Sequence, residues 1–367
     1  MGERVVACLS GGVDSSVAAS LLVEAGHDVI GVFMRSGVST HAQGEQQGCC
    51  SVEDALDARR VADQLGIPFY ALNMEQAFGK LIDRFVADYA KGWTPNPCVL
   101  CNRWLKVGHV LQFARKLGAQ KVATGHYARL VPRGERLTLA RPVDAAKDQS
   151  YVLAVLEQSQ LRDLLLPLGE LTKPRVRELA RERGLDRVAG KRDSQEICFV
   201  PGDYRQLLRE KLPADAPALQ PGEIQDLDGQ VLGRHEGAAT FTIGQRKGIG
   251  IPAKHPLYVQ RTDPGKRLVV VGPSERLGRR QLEAADVTWL GALPPVGERL
   301  RARAQVRAHG RAHPGWVERT AEQAFRFVFD DDVQAVVPGQ AVVVYDEPDA
   351  QVLMSGWIHH VAEQAVA

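Results

Sequence analysis

The chain has 367 residues, of which 44% are hydrophobic and 25% charged, with a formal net charge of +2. That length accommodates two or three domains with full cores, and the balance excludes a low-complexity or disulfide-scaffold protein. No apolar stretch approaches the ~18 residues of a membrane-spanning helix, and the opening MGERVVACLS lacks a signal-peptide layout, so a cytoplasmic location without a membrane partner is expected.

In chain order, strand-like runs fall at Arg4–Leu9, Asp28–Met34, Pro68–Asn73 and Lys121–Thr124, separated by helical patterns near 14–25, 52–65, 75–90 and 102–117. Such alternation with short connections predicts an α/β unit with a parallel sheet covered on both faces. From about 205 the texture changes. Prolines punctuate at Pro213, Pro217 and Pro221, followed by β-rich runs at Leu257–Arg261, Arg267–Val271, Phe325–Phe329 and Ala341–Tyr345. The expected organisation is a catalytic unit over 1–205, a central β-rich unit over 206–278 and a C-terminal β-barrel over 279–367. Arginines and lysines crowd 175–192 and 301–311, which suits a polyanionic partner or, as plainly, a solvated helix face.

The strongest local signal is Ser10-Gly11-Gly12-Val13-Asp14-Ser15-Ser16, directly after a strand and before a helix. Adjacent glycines let the backbone approach a phosphate, the serines add donors, and the new helix presents its unpaired N–H groups to the anion. A carboxylate in such a loop would repel phosphate, so Asp14 reads as a Mg²⁺ partner or as a residue fixing the loop. The GxxxxGK[ST] pattern of kinase-type and GTPase-type sites is absent.

Cysteine chemistry comes next. Thr94-Pro95-Asn96-Pro97-Cys98-Val99-Leu100-Cys101-Asn102 puts two thiols in a proline-stiffened segment, with Cys101 expected at the start of the following helix, where a thiolate is favoured. The rival reading, half of a zinc site, lacks a second CxxC, since Cys49 and Cys50 are vicinal. Asp193-Ser194-Gln195-Glu196-Ile197-Cys198-Phe199 adds a distant thiol, and sulfur transfer needs one thiol to carry a persulfide and another to resolve it. Gly125-His126-Tyr127-Ala128-Arg129 follows a strand at the edge where open α/β sheets bind ligands. Lys147-Asp148-Gln149-Ser150-Tyr151 and the basic loop Phe241–Gly250 suit nucleic-acid contacts.

The loop SGGVDSS is the hallmark of the PP-loop superfamily, whose members cleave ATP to AMP and pyrophosphate to activate a carbonyl oxygen. Taken with GCCS at 48–51, DARRVADQLGIPFY, TPNPCVLCN, GHYAR, KDQSY, DSQEICF, FTIGQRKGIGI and PGQAVVVY in this order, the whole chain resembles the bacterial tRNA-specific 2-thiouridylases. The resemblance implies an ATP-dependent sulfurtransferase that adenylates the C2 carbonyl of the wobble uridine, position 34, and replaces its oxygen with sulfur. Its substrates would be tRNAs of the Lys, Glu and Gln type, and its sulfur would come from a cysteine desulfurase or a sulfur-relay protein.

Carried over by motif, Cys8, Leu9, Ser10, Gly11, Gly12, Val13, Asp14 and Ser15 would bind ATP with Mg²⁺, bordered by Met34 and Gly125. Cys101 would be the nucleophile and Cys198 the persulfide carrier, the two ending as a disulfide. Asn96, Pro97 and Cys98 would surround the target base, and His126, Lys147, Asp148, Gln149, Arg307 and Gln340 would touch tRNA. Ala308 stands where the family often has an aromatic residue, and Cys98 where some members have Asp. Cys98 is thus a third thiol, and a 4Fe–4S cluster on Cys98, Cys101 and Cys198 is the alternative sulfur chemistry. The nearest enzymatic rival is a PP-loop amidotransferase or ligase, though nothing in the sequence suggests a glutaminase unit, and the rival from another class is a non-catalytic tRNA-binding protein built on a β-barrel.

Overall fold

The computed structural model describes residues 2–37, 51–191, 197–200, 202–291 and 293–361. Cys49, Cys50 and the Asp193–Glu196 part of the DSQEICF motif lie outside them. The first unit is built from β1 (Arg4–Cys8), α1 (Val13–Glu24), β2 (Asp28–Arg35), α2 (Val52–Leu65), β3 (Phe69–Asn73) and α3 (Glu75–Ala90). It continues through α4 (Pro97–Cys101), a π-helical segment (Asn102–His109), α5 (Val110–Lys116), β4 (Lys121–Ala123), the hairpin β5 (Arg129–Arg133) and β6 (Arg136–Ala140), then α6 (Ser150–Leu153). It closes with α7 (Gln158–Arg162), β7 (Leu164–Leu165), α8 (Lys173–Glu182) and α9 (Asp186–Ala189).

Its five-stranded sheet runs β3-β2-β1-β4-β7, and every adjacent pair is parallel. Alternation along β1 supplies both cores. Val6 faces α4, α5 and α6 with Val99, Val107, Val110 and Tyr151, while Val5 and Ala7 face α1, α2 and α8 with Val17, Ala58 and Val176. The predicted strand positions hold to within a residue or two, and the parallel α/β class with them.

After α10 (Tyr204–Lys211), a four-stranded sheet forms from β8 (Gly222–Gln225), β9 (Val231–His235), β10 (Tyr258–Asp263) and β11 (Leu268–Gly272), in the order β10-β11-β8-β9. The C-terminal unit is a closed barrel of six strands: β12 (Arg279–Trp289), β13 (Arg299–Gln305), β14 (His313–Ala321), β15 (Ala324–Val333), β16 (Ala341–Tyr345) and β17 (Val352–Val361). Its core is Phe325, Phe327, Val317, Val342, Val344 and their neighbours. The barrel is fused to the first unit. Ala341, Val343, Tyr345 and Val352 belong to the same apolar cluster as Val6, Leu139 and Tyr151, and the Tyr151 hydroxyl donates to the Ala341 carbonyl at 2.7 Å.

Candidate active site

Ser10, Gly11 and Gly12 turn the chain from β1 into α1 at the carboxyl edge of the sheet. Gly11 takes φ +74°, and a β-carbon there would lie 2.4 Å from the Asp54 carbonyl oxygen, so glycine alone lets α2 pack on the loop. Ser15 Oγ accepts the Ser10 N–H at 3.0 Å and donates to the Gly12 carbonyl at 3.1 Å; Ser16 Oγ donates to the same carbonyl at 2.8 Å. These hydroxyls brace the bend. Gly12 is the N-cap of α1 and offers no side chain to it, which leaves the start of the helix to an anion.

Asp14 has a definite task. Its carboxylate receives the Lys173 ammonium at 2.7 and 2.8 Å and the Tyr127 hydroxyl at 2.7 Å. Lys173, at the start of α8, keeps only 9% of its side chain exposed. Of the two readings of Asp14, the loop-fixing one has these contacts behind it, and Lys173 cancels the charge that would repel phosphate. A β-carbon on Gly125 would sit 2.7 Å from the Ser15 nitrogen, so the exit of β4 lies directly on the loop. Leu9 and Val13 are buried, and Cys8 donates its Sγ–H to the Lys106 carbonyl at 3.7 Å, burial pushing its thiol up to about 12. Met34, next to last in β2, packs between two apolar clusters.

The thiols correct the sequence reading. The helix does not begin near Cys101: Asn96 is the N-cap and Pro97 the first helical residue, and α4, the π segment and α5 run on as one rod from Pro97 to Lys116. Pro97 suits that first position because its missing N–H would have had no partner there. Cys98 therefore holds the helix N-terminus and is exposed, while Cys101 lies one turn in and is buried. Cys101 packs with Phe85, Leu105 and Phe199, and Cys198 borders the same apolar cluster, so the two distant thiols share one neighbourhood. Among the described residues no group of three or more His, Cys, Asp or Glu is gathered so as to hold a metal ion.

Residues expected to touch tRNA are divided. His126 is buried, its Nδ1 2.8 Å from Thr124 Oγ1, and burial with the nearby Lys106 charge pushes its pKa down to about 3. Asp148 pairs with Arg141, and Gln149 Oε1 accepts the Tyr127 N–H at 2.9 Å. Ser150 and Tyr151 of the same motif bind the barrel, through the Tyr345 hydroxyl and the Ala341 carbonyl. Gln340 donates to the Thr94 carbonyl at 2.8 Å. Arg307 and Arg311 are exposed, whereas Arg301 is paired with Asp330 and Arg303 donates to the Ala312 carbonyl. In the 175–192 cluster, Arg175 pairs with Glu182, Arg183 with Glu24, and Arg187 and Lys191 with Asp57. These cations are paired within the fold, although Arg175, Arg181 and Arg187 remain exposed.

Sequence reasoning missed Lys173, Tyr127 as a partner of Asp14, and the π segment. The Thr172-Lys173-Pro174 helix start was legible, but nothing local says that its lysine reaches back 159 positions to the loop. A π turn has no recognised sequence signature, although it recurs at functional sites.

With this geometry in place, three family models match: the tRNA methyl transferase HUP domain over residues 3–202, the tRNA methyl transferase PRC-barrel domain over 211–273 and the aminomethyltransferase beta-barrel domain over 279–358. The chain is 48% identical to a tRNA-specific 2-thiouridylase MnmA of Geobacter metallireducens, over 97% of this chain and 96% of that protein. It is 43% identical to the one of Rhodopirellula baltica, over 98% and 96%, and 47% identical to that of Parvibaculum lavamentivorans, over 97% and 90%.

Proposed function

The chain belongs to the tRNA-specific 2-thiouridylase family, and from that membership, the loop and the paired thiols we propose that it converts the wobble uridine of tRNA to 2-thiouridine at the expense of ATP. The observation that carries the reading is that Cys101, on the rod, and Cys198, next to Phe199, border one apolar cluster. A methyl transfer, which two of the family descriptions name, would leave both thiols without a task.

Ser10 to Ser15 hold the pyrophosphate portion of ATP, and Met34 and Gly125 border the adenosine. Mg²⁺ accompanies ATP as the counter-ion of its phosphates, since the Asp14 carboxylate is engaged by Lys173 and Tyr127. The uracil O2 attacks the α-phosphorus, and pyrophosphate leaves toward the start of α1. Activation is needed because a carbonyl oxygen is otherwise a very poor leaving group. The terminal sulfur of a Cys198 persulfide then adds to C2 and AMP departs with the former O2. Cys101 attacks Cys198 Sγ, forming the Cys101–Cys198 disulfide and leaving sulfur on C2. The transferred sulfur gains the two electrons that the two thiols lose, and an external thiol reductant resets the pair.

Asn96, Pro97 and Cys98 surround the flipped base. Lys147 and Arg307 meet tRNA phosphates, while His126, Asp148, Gln149 and Gln340 act by shaping the backbone that does so. The tRNAs are those of the Lys, Glu and Gln type, the persulfide comes from a cysteine desulfurase or a relay protein, and the enzyme works in the cytoplasm. The boundaries near 205 and 278 separate catalytic, central and barrel units. The test is thiolation of a tRNA transcript with ATP and a persulfide donor, with AMP counted per 2-thiouridine. One AMP per thiolated base is expected in the native chain and no 2-thiouridine from Cys198→Ser; thiolation without ATP cleavage would refute the mechanism.

A further inference from the structure

The basic segment before Cys198 carries, at Lys191, a cation with a specific address. Arg177 donates to the backbone carbonyls of Ala189 and Lys191, fixing the chain there. From that anchor the Lys191 ammonium reaches the Gly11 carbonyl at 3.1 Å and Asp54 Oδ1 at 2.9 Å, and it also pairs with Asp57. Asp57 is buried, 1% exposed, and takes Arg187 and Arg60 as well. Burial opposes the lysine charge, but the two aspartates more than offset it and hold its pKa above the ordinary value. The lysine is thus a permanent cation on a loop carbonyl.

A peptide unit is planar and trans, so its C=O and the following N–H point in opposite directions. We infer that Lys191 is a positioning residue for the nucleotide loop: by holding the Gly11 carbonyl toward α2, it aims the Gly12 N–H into the phosphate cradle. Gly11 needs such a constraint because glycine at φ +74° has no side chain to prefer one orientation of the peptide that follows. Asp54 sets the limit on the other side, its carbonyl standing where a Gly11 β-carbon would be. The Ser10 N–H is already bonded to Ser15 Oγ, so the Gly12 N–H is the donor that this lysine can steer.

This inference rests on the reading of the loop as a pyrophosphate site, and its test separates the two. Pyrophosphate binding is measured by calorimetry on the full chain, and the Gly12 amide is followed by NMR in glycine-labelled protein. Lys191→Met should weaken pyrophosphate about tenfold, the scale of one hydrogen bond to a charged group, and abolish the Gly12 shift on saturation. Arg187→Met removes a partner of the same Asp57 without touching the loop and should change affinity less than about twofold. If Lys191→Met does not fold, Lys191→Gln carries the same comparison. Unchanged affinity in the lysine variant overturns the inference. So does weakened binding with the Gly12 shift intact at saturation, which would make Lys191 a direct ligand, and so does an equal loss in Arg187→Met. No pyrophosphate binding by the unaltered chain would instead sink the reading of the loop, and the inference with it.

Discussion

Replacing Asp14 tests whether the carboxylate of the loop is a structural brace. Asp14→Ala leaves the Lys173 ammonium, 9% exposed, without its carboxylate and removes the acceptor of the Tyr127 hydroxyl. Removing one partner of a buried pair costs ~3–5 kcal/mol; because Asp14 keeps 31% of its side chain exposed, water replaces part of that interaction and the low end applies, about 3 kcal/mol in all. For a unit near two hundred residues that lowers the melting temperature by roughly 6–12 °C. Asp14→Ala/Lys173→Met removes the stranded charge along with its partner and should recover about 2 kcal/mol of the loss. The assay is urea denaturation and thermal melting of the native chain, both single variants and the double variant. AMP formation should fall at least about a hundredfold in every variant, since the loop loses its brace even where stability returns. Binding of tRNA, on a separate surface, should stay within about threefold. A single variant as stable as the native chain, or a double variant no better than Asp14→Ala, refutes the brace; near-normal AMP formation refutes the assignment of the loop.

Cys98, exposed at the helix N-terminus, should alkylate with iodoacetamide at least about tenfold faster than buried Cys101 by peptide mass mapping, and Cys98→Ser should keep measurable thiolation where Cys101→Ser and Cys198→Ser have none. His126 has its folded pKa depressed to about 3, below the ~6.5 of an unfolded histidine, so the unfolded chain binds the extra proton as pH falls through that interval. Stability from this group is therefore complete above about pH 7 and should fall by about 2 kcal/mol by pH 5 in urea titrations, a slope that His126→Gln removes. Affinity for tRNA should fall linearly in log salt, and Arg307→Ala with Arg311→Ala should each flatten that slope by about one, whereas Arg301→Ala, already paired with Asp330, should not.

Much of this architecture was legible because it is local. Apolar runs such as Val5–Ala7 and Val29–Phe33 are buried on both sheet faces and read as parallel strands without ambiguity. The SGGVDSS loop announces itself by spacing alone. The start of α4 did not, because Pro95-Asn96-Pro97 reads equally as a stiff loop and as a helix entry, and only the packing of Pro97 and Val99 decides. Barrel strand β13 was missed for a related reason. Its outward positions Arg299, Arg301 and Arg303 look like a basic patch, and the strand shows only in the alternating Ala302 and Ala304 that face the core. Pairing was the least legible of all. The arginines of 175–192 find Glu24, Asp57 and Glu182, contacts made through the fold and in two cases more than 120 positions away.

The segment that would receive the base is held by all three units at once. Thr94 donates its N–H to the Pro338 carbonyl at 2.9 Å and accepts from Gln340, both from the barrel. Gly339 has to be small there, because a β-carbon on it would lie 2.9 Å from that of Trp93. From the central unit, Thr262 Oγ1 donates to the Gly92 carbonyl at 3.2 Å, and Pro264 stands where a Gly92 side chain would go. The residues from Gly92 to Thr94 lead straight into Asn96 and the thiol-bearing rod. Through these contacts both β units fix the backbone that leads into the helix carrying Cys98 and Cys101.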